Sequence, residues 1–154
     1  MRAHRSLLVG AAFVAALGLA ACSGAGVTAG GPALAAKPPL AGPAAPGTFA
    51  ANGSVDASSG QASLQMLDAM KFQPNTLTGV RPGQKVTVEL QNTGSVAHDF
   101  YAPGLGVTTA VKVDPGRRGT ATFTAPAAAG TYQFWCNQPG HAEGGMIGEV
   151  VVRG

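Results

Sequence analysis

The sequence predicts an all-β fold, a Greek-key antiparallel sandwich or barrel, on three observations. Short stretches alternate polar and apolar residues with the two-residue period of a strand that buries one face. Turn signals rich in glycine and proline separate those stretches at short intervals. Charge is scarce, at 11% of residues, while Gly (23) and Pro (11) are abundant, a balance that disfavours long helices.

Along the chain, the first element is not a strand. Met1 to Arg5 carries two arginines, and Ser6 to Ala21 is an unbroken run of small and apolar residues. That run falls short of the ~20 residues a spanning helix needs, and its length suits the apolar centre of an export signal. It ends in Leu19-Ala20-Ala21-Cys22, which resembles the bacterial lipobox. The resemblance implies removal of residues 1–21 and lipidation of Cys22, with two acyl chains giving a stable membrane anchor. The domain would then sit on the outer face of the cell membrane, on the periplasmic side. Residues 22–57 are expected to be a linker. Beyond Cys22 they are mostly Ala, Gly, Pro, Ser and Thr, with Lys37 and Asp56 the charged positions, and Lys37-Pro38-Pro39 and Gly42-Pro43 oppose both helix and ladder. As a flexible coil such a segment would reach on the order of 30–35 Å.

The folded domain is placed at 58–154. Lys85-Val86-Thr87-Val88-Glu89-Leu90 alternates as a half-buried strand should, and so do Gly119 to Thr124, Thr131 to Cys136 and Gly148 to Val152. Arg81-Pro82-Gly83-Gln84, Asn92-Thr93-Gly94, Asp114-Pro115-Gly116 and Ala129-Gly130 supply the turns between them. Seven or so short strands are expected, in a length that supports one modest core.

The formal charge of +3 is misleading. Of ten Lys and Arg, Arg2 and Arg5 belong to the signal, leaving eight against seven Asp and Glu. Such a balance forms no phosphate-binding stripe, so nucleic acid is not an expected partner, and a monomer is expected. The two cysteines, Cys22 and Cys136, each have a better single role than a disulfide that would tie a linker to a strand end.

The three histidines are His4, His98 and His141, and His4 lies in the signal. His141 and Cys136 form the run Cys136-x4-His141-x4-Met146, with His98 upstream. Two imidazoles, a thiolate and a weak thioether make up the ligand set of a type 1, blue-copper centre. Taken singly, a buried cysteine is usually an inert small hydrophobe and a methionine core filler. Here every histidine and free cysteine beyond the linker falls on one motif. Met66 and Met70 are rival thioethers, expected to lie in the core away from the ligand loop.

The segment Gly130-Thr131-Tyr132-Gln133-Phe134-Trp135-Cys136-Asn137-Gln138-Pro139-Gly140-His141 through Met146 resembles the C-terminal half of cupredoxins of the plastocyanin, auracyanin and azurin kind. Upstream, Phe72-Gln73-Pro74, Pro82-Gly83, Val86-Thr87-Val88, Asn92-Thr93-Gly94 and His98-Asp99-Phe100 resemble the matching N-terminal half. The resemblance implies His98, Cys136 and His141 as equatorial ligands and Met146 as the axial one. It also implies a single copper cofactor and a non-enzymatic one-electron carrier that cycles between Cu(I) and Cu(II).

Many cupredoxins have asparagine after the first histidine; this chain has Asp99, which is expected to disturb the bonding between the two ligand loops. Redox partners are expected to dock near His141, on an uncharged rim of Pro139, Gly140, Ala142 and the 103–107 turn. Trp135, facing outward beside Cys136, is a second candidate exit. The alternative is a copper-binding or delivery protein without an electron-transfer role. Delivery proteins favour exposed Met/His-rich ligands, and the linker contains neither residue. A copper enzyme would need a second metal site, for which no histidines remain.

Overall fold

The computed structural model describes residues 36–154, so the expected signal (1–21) and Cys22 lie outside the described residues. Ten strands follow in order: β1 (Ser54–Asp56), β2 (Gln61–Leu67), β3 (Lys71–Gln73), β4 (Thr76–Val80), β5 (Lys85–Asn92), β6 (His98–Ala102), β7 (Val107–Val113), β8 (Arg118–Thr124), β9 (Gly130–Trp135) and β10 (Ile147–Val152). They form two sheets, one ordered β1-β4-β10-β9-β6-β7 and the other β3-β2-β5-β8. The all-β sandwich read from the sequence is the fold. Its ladders are mixed: β1–β4, β4–β10 and β2–β5 run parallel, and the remaining pairs antiparallel. Residue alternation marks where a strand lies and which face is apolar, but it carries no information about the direction of the neighbour.

The alternation does locate the core. In β5, Val86, Val88, Leu90 and Asn92 point inward and are buried, while Lys85 and Glu89 face solvent. Burying each large apolar side chain of this layer contributes roughly 1.5–3 kcal/mol. Phe72, Phe100 and Phe134, all fully buried, pack as a cluster, with Phe100 stacked on Phe134 at 4.7 Å and Phe72 edge-on to Phe134 at 5.0 Å. The two-residue period then puts His98 on the face of Phe100, and Cys136 on the face of Phe134. The aromatic cluster is thus continuous with the floor of the candidate site.

The described part of the expected linker, residues 36–57, is no linker but a strap laid on the sandwich, and the domain begins well before Ser58. The carbonyls of Pro38 and Pro39 accept from Thr131 (Oγ1 at 2.6 Å and backbone N at 2.8 Å), and the Ala41 N–H donates to the Thr131 carbonyl at 2.7 Å. These bonds occupy β9 where β6 does not reach, since β6 pairs with β9 only at Tyr101–Trp135. Proline lacks an N–H yet keeps its carbonyl, so a Pro-Pro step serves here as a pair of acceptors. Farther along, Asn75, 1% exposed, accepts the Asn52 N–H through Oδ1 and donates through Nδ2 to the carbonyls of Ala50 and Ile147. β1 completes the strap by pairing with β4. Such contacts leave no hydrophobic period, which is why composition alone reads this stretch as unstructured.

Candidate metal centre

Three sequence-predicted residues converge. The candidate ligand atoms of His98, Cys136 and His141 lie within 4.8 Å of one another. His98 Nδ1 is 3.2 Å from His141 Nδ1, and His141 Nδ1 is 3.2 Å from Cys136 Sγ. His98 starts β6 and Cys136 follows β9, so adjacent strands deliver two donors to the same end of the sandwich. The turn after β9 brings back the third.

That turn builds itself from local bonds. The N–H groups of His141, Gly144, Gly145 and Met146 donate to the carbonyls of Gln138, Gly140, Ala142 and His141, and the Cys136 N–H donates to Met146. Gly140 and Gly145 hold φ of +78° and +99°, left-handed values that side-chain-bearing residues seldom adopt. Met146 is fully buried below the loop, its backbone tied to both Cys136 and His141.

Burial sets the electrostatics. It pushes the Cys136 thiol up to about 11, against the downward pull of backbone N–H groups of Gln138 and Asp99. It also lowers His98, with the nearby His141 adding to the effect, so His98 favours the neutral imidazole. A neutral imidazole is a ligand, whereas a buried thiolate needs a cation to stabilise it. A soft set of one thiol and two imidazole nitrogens, with two of the three residues buried, fits copper. His98 Nε2 is buried without a hydrogen bond, and Asp68 Oδ1 lies 3.8 Å from it. Asp68 is itself fixed by the Ser95 N–H and hydroxyl, both at 2.8 Å. It was not singled out in the sequence, where an aspartate in a turn has no mark of its own.

Asp99 departs from expectation. Its carboxylate ties the ligand loops together rather than disturbing them. Oδ1 accepts the Asn137 N–H, Oδ2 accepts from Gln138 Nε2 at 2.9 Å, and the Asp99 N–H donates to Cys136 Sγ at 3.3 Å.

The surroundings differ from the expected rim in three ways. The 103–107 turn does not border the ligand loop, because Gly104 packs against Gly42 and Tyr132 near the start of β9. The exposed surface beside His141 is instead Pro139, Gly140, Glu143 and Gly144, and Met70 packs against Gly144. Met70 is therefore part of the ligand end, in a left-handed backbone (φ 54°), whereas Met66 is core as expected. Trp135 does face outward, but Tyr101, Phe49 and Ala45 cover it to 7% exposure. Tyr132 donates its hydroxyl to the Ala128 carbonyl at 2.9 Å, as its place in the core requires.

The model of the cupredoxin-like domain matches residues 44–152, and the chain belongs to that family. With this fold and the His-Cys-His cluster, it is a copper-binding protein that takes one copper. It is similar to the copper-resistant cuproprotein CopI of Rubrivivax gelatinosus, 35% identical over an alignment of 108 residues that covers 57% of this chain and 63% of that protein. The chain thus spans under two thirds of the length of that relative. Among solved structures it is similar to the dithionite-reduced auracyanin of Roseiflexus castenholzii, with a TM-score of 0.52 and 26% identity over 61% of this chain and 97% of that one. Auracyanin A of Chloroflexus aurantiacus, a blue copper protein, shares the fold at TM-score 0.51 and 24% identity, over 66% of this chain and all of that one.

Proposed function

We propose that the protein is a one-electron carrier whose copper is held by His98 Nδ1, Cys136 Sγ and His141 Nδ1, with Met146 as the axial ligand. The observation that carries this reading is the convergence of three donors at one end of the core, two buried and one reaching the surface. Copper, when bound, supplies the change between Cu(II) and Cu(I). The chain's part is to hold the donors still and dry. The phenylalanine cluster beneath them excludes water, and the bonds through Asp99 fix one ligand loop to the other. A rigid donor set lets charge change with little rearrangement.

Among the three converging residues, His141 alone is partly exposed, so the electron path to a partner runs through its imidazole. A redox protein would dock on the small patch of Pro139, Gly140 and Gly144, with Glu143 as its one charge. We place the domain outside the cytoplasmic membrane as a monomer tethered through lipid on Cys22. The arginines at 2 and 5, the apolar run and Leu19-Ala20-Ala21-Cys22 support that placement. The near balance of charge beyond the signal speaks for protein rather than nucleic-acid partners. We read a carrier rather than an enzyme because both histidines beyond the signal are spent in this one cluster.

A second reading is favoured by one specific observation, the copper-resistance name of the R. gelatinosus relative. In that reading the site sequesters or delivers the metal. Cycling the copper-loaded chain between oxidant and reductant with a Cu(I) chelator present separates the two. A carrier keeps its copper over many cycles, whereas a delivery protein loses it to the chelator in the first reduced phase.

A further inference from the structure

We propose that the pocket between the strap and the outer face of β4 and β10 binds a phosphate group, free or in a lipid headgroup. The site lies apart from the copper centre and does not rest on the carrier reading. Only the lipid source rests on the placement at a membrane.

The pocket has a volume of about 300 Å³ and is lined by Lys37 of the strap, by Thr76, Thr78 and Gly79 of β4, and by Val151 and Arg153. β10 runs beside β4 with Glu149 opposite Thr76 and Val150 opposite Leu77. Leu77 and Val150 are buried in the core, so the two-residue period turns Thr76, Thr78 and Val151 to the outer face. Arg153 follows β10 at the end away from Met146, where its N–H donates to the Val80 carbonyl at 2.9 Å. Its side chain is the unusual feature. Nε is buried with no hydrogen-bond partner, and the guanidinium forms no ion pair among the described residues. A buried donor left without an acceptor costs about 1–3 kcal/mol, and more when it is charged. The nearby carboxylates do not serve it. Glu149 is paired with Lys37 at 2.6 Å, and Asp56, beside Gly79, accepts the Ser58 N–H at 2.8 Å.

The donors define the class of ligand. The guanidinium offers a planar fork, the Lys37 ammonium keeps N–H groups beyond the one given to Glu149, and the threonine hydroxyls add a third kind. They stand on three separate elements round one pocket: the strap, β4 and the end of β10. A carboxylate presents two oxygens in one plane and would satisfy the fork alone. A tetrahedral phosphate presents oxygens in several directions and meets all three. The described strap also begins here, and positions 23–36 are all that separate Lys37 from Cys22. Under the lipid-anchor reading a phospholipid headgroup is therefore one source of the phosphate.

The test uses the copper-loaded full chain reconstituted in vesicles, with the thermal unfolding midpoint as readout, since a ligand of the folded state raises it. One arm adds inorganic phosphate to phosphatidylcholine vesicles, at an ionic strength held constant with chloride. The other replaces part of the phosphatidylcholine by phosphatidylglycerol. Phosphate is expected to raise the midpoint along a saturating curve. Arg153→Gln should move half-saturation up by about tenfold or abolish the rise, and Thr76→Val, which keeps the branched shape, by about threefold. Arg117→Gln removes the same charge from an exposed turn and should leave the curve unchanged. If Arg153→Gln does not fold, Arg153→Lys serves, because it keeps the charge without the fork and should also need more phosphate.

A rise with phosphatidylglycerol that depends on Arg153 supports the site and assigns it to a lipid headgroup. A rise with inorganic phosphate alone supports it and assigns it to the free anion. The proposal is overturned if neither probe raises the midpoint, if the Arg153 variants respond as the parent does, or if Arg117→Gln weakens the response as much as Arg153→Gln. Each of these results leaves the copper reading untouched.

Discussion

The ligand loop and the strap meet at Gly47 but are built on opposite plans. Residues 136–146 close through hydrogen bonds between near neighbours, such as Gly144 to Gly140 and Met146 to His141. Residues 37–53 are held by bonds to distant parts of the chain, to Thr131, Gln133, Glu149, Asn75 and Phe72. The loop thus carries its geometry with it, while the strap borrows its own from a sandwich already folded. Changes in the strap should therefore cost stability without altering the copper chemistry, and changes in the loop should do the reverse. Gly47 is the exception. A β-carbon there would collide with the backbone carbonyl of Ala142, inside the ligand loop.

The largest expected effect is at the strap's anchor. Asn75→Ala removes three hydrogen bonds and leaves the Asn52 N–H and the Ala50 and Ile147 carbonyls without this partner. The Ile147 carbonyl is buried and costs about 1–3 kcal/mol when left unsatisfied, while the two part-buried groups recover water and cost less, so a loss of about 2–4 kcal/mol is expected in denaturant unfolding. The visible band of the copper-loaded protein should stay where it is; a displaced band would show that strap and loop are not separable.

Gly47→Val should cost about 1–3 kcal/mol, as overpacking does. Unlike Asn75→Ala it should also move the visible band, because relief requires either the strap or the 141–146 backbone to shift. Urea melts read beside spectra of the same samples would check both outcomes.

From the loop's side, the copper-free chain should be most stable between about pH 6.5 and 9. Its folded His98 has a lowered pKa, so the unfolded chain takes up the proton first and stability falls as pH drops below 6.5. The folded Cys136 is pushed up from 9.0 to about 11, so the unfolded chain releases its proton first and stability falls as pH rises above 9.0. Unfolding midpoints across pH should trace this dome, and Cys136→Ala should flatten its alkaline side.

The smallest effect is expected at Leu40. It is 47% exposed and its backbone, not its side chain, makes the bridge to Thr131, so Leu40→Ala should change stability by less than about 0.5 kcal/mol. A larger loss would mean that side-chain packing holds this part of the strap.

The same contrast explains what the sequence disclosed. The convergence of His98, Cys136 and His141 was legible because chemically distinctive residues are concentrated in a short loop and one strand start. The strands were legible by their two-residue period, as in Lys85–Leu90, although their relative directions were not. The strap stayed hidden because its bonds are made by proline carbonyls and one distant asparagine, which leave no local pattern. Asp99 was noticed as a departure, but whether it breaks or makes the link between loops depended on where Asn137 and Gln138 lie. Met70 was misplaced because a turn at positive φ returns it to the ligand end, where strand counting would have carried it away.

The central claim, a copper held by a thiolate and two imidazoles, is tested most directly by adding Cu(II) to the chain and recording the visible spectrum. An intense blue thiolate-to-copper band that saturates at one copper per chain, bleaches on reduction and is absent in Cys136→Ser is the predicted result. A colourless complex, or a band that survives in Cys136→Ser, would contradict it.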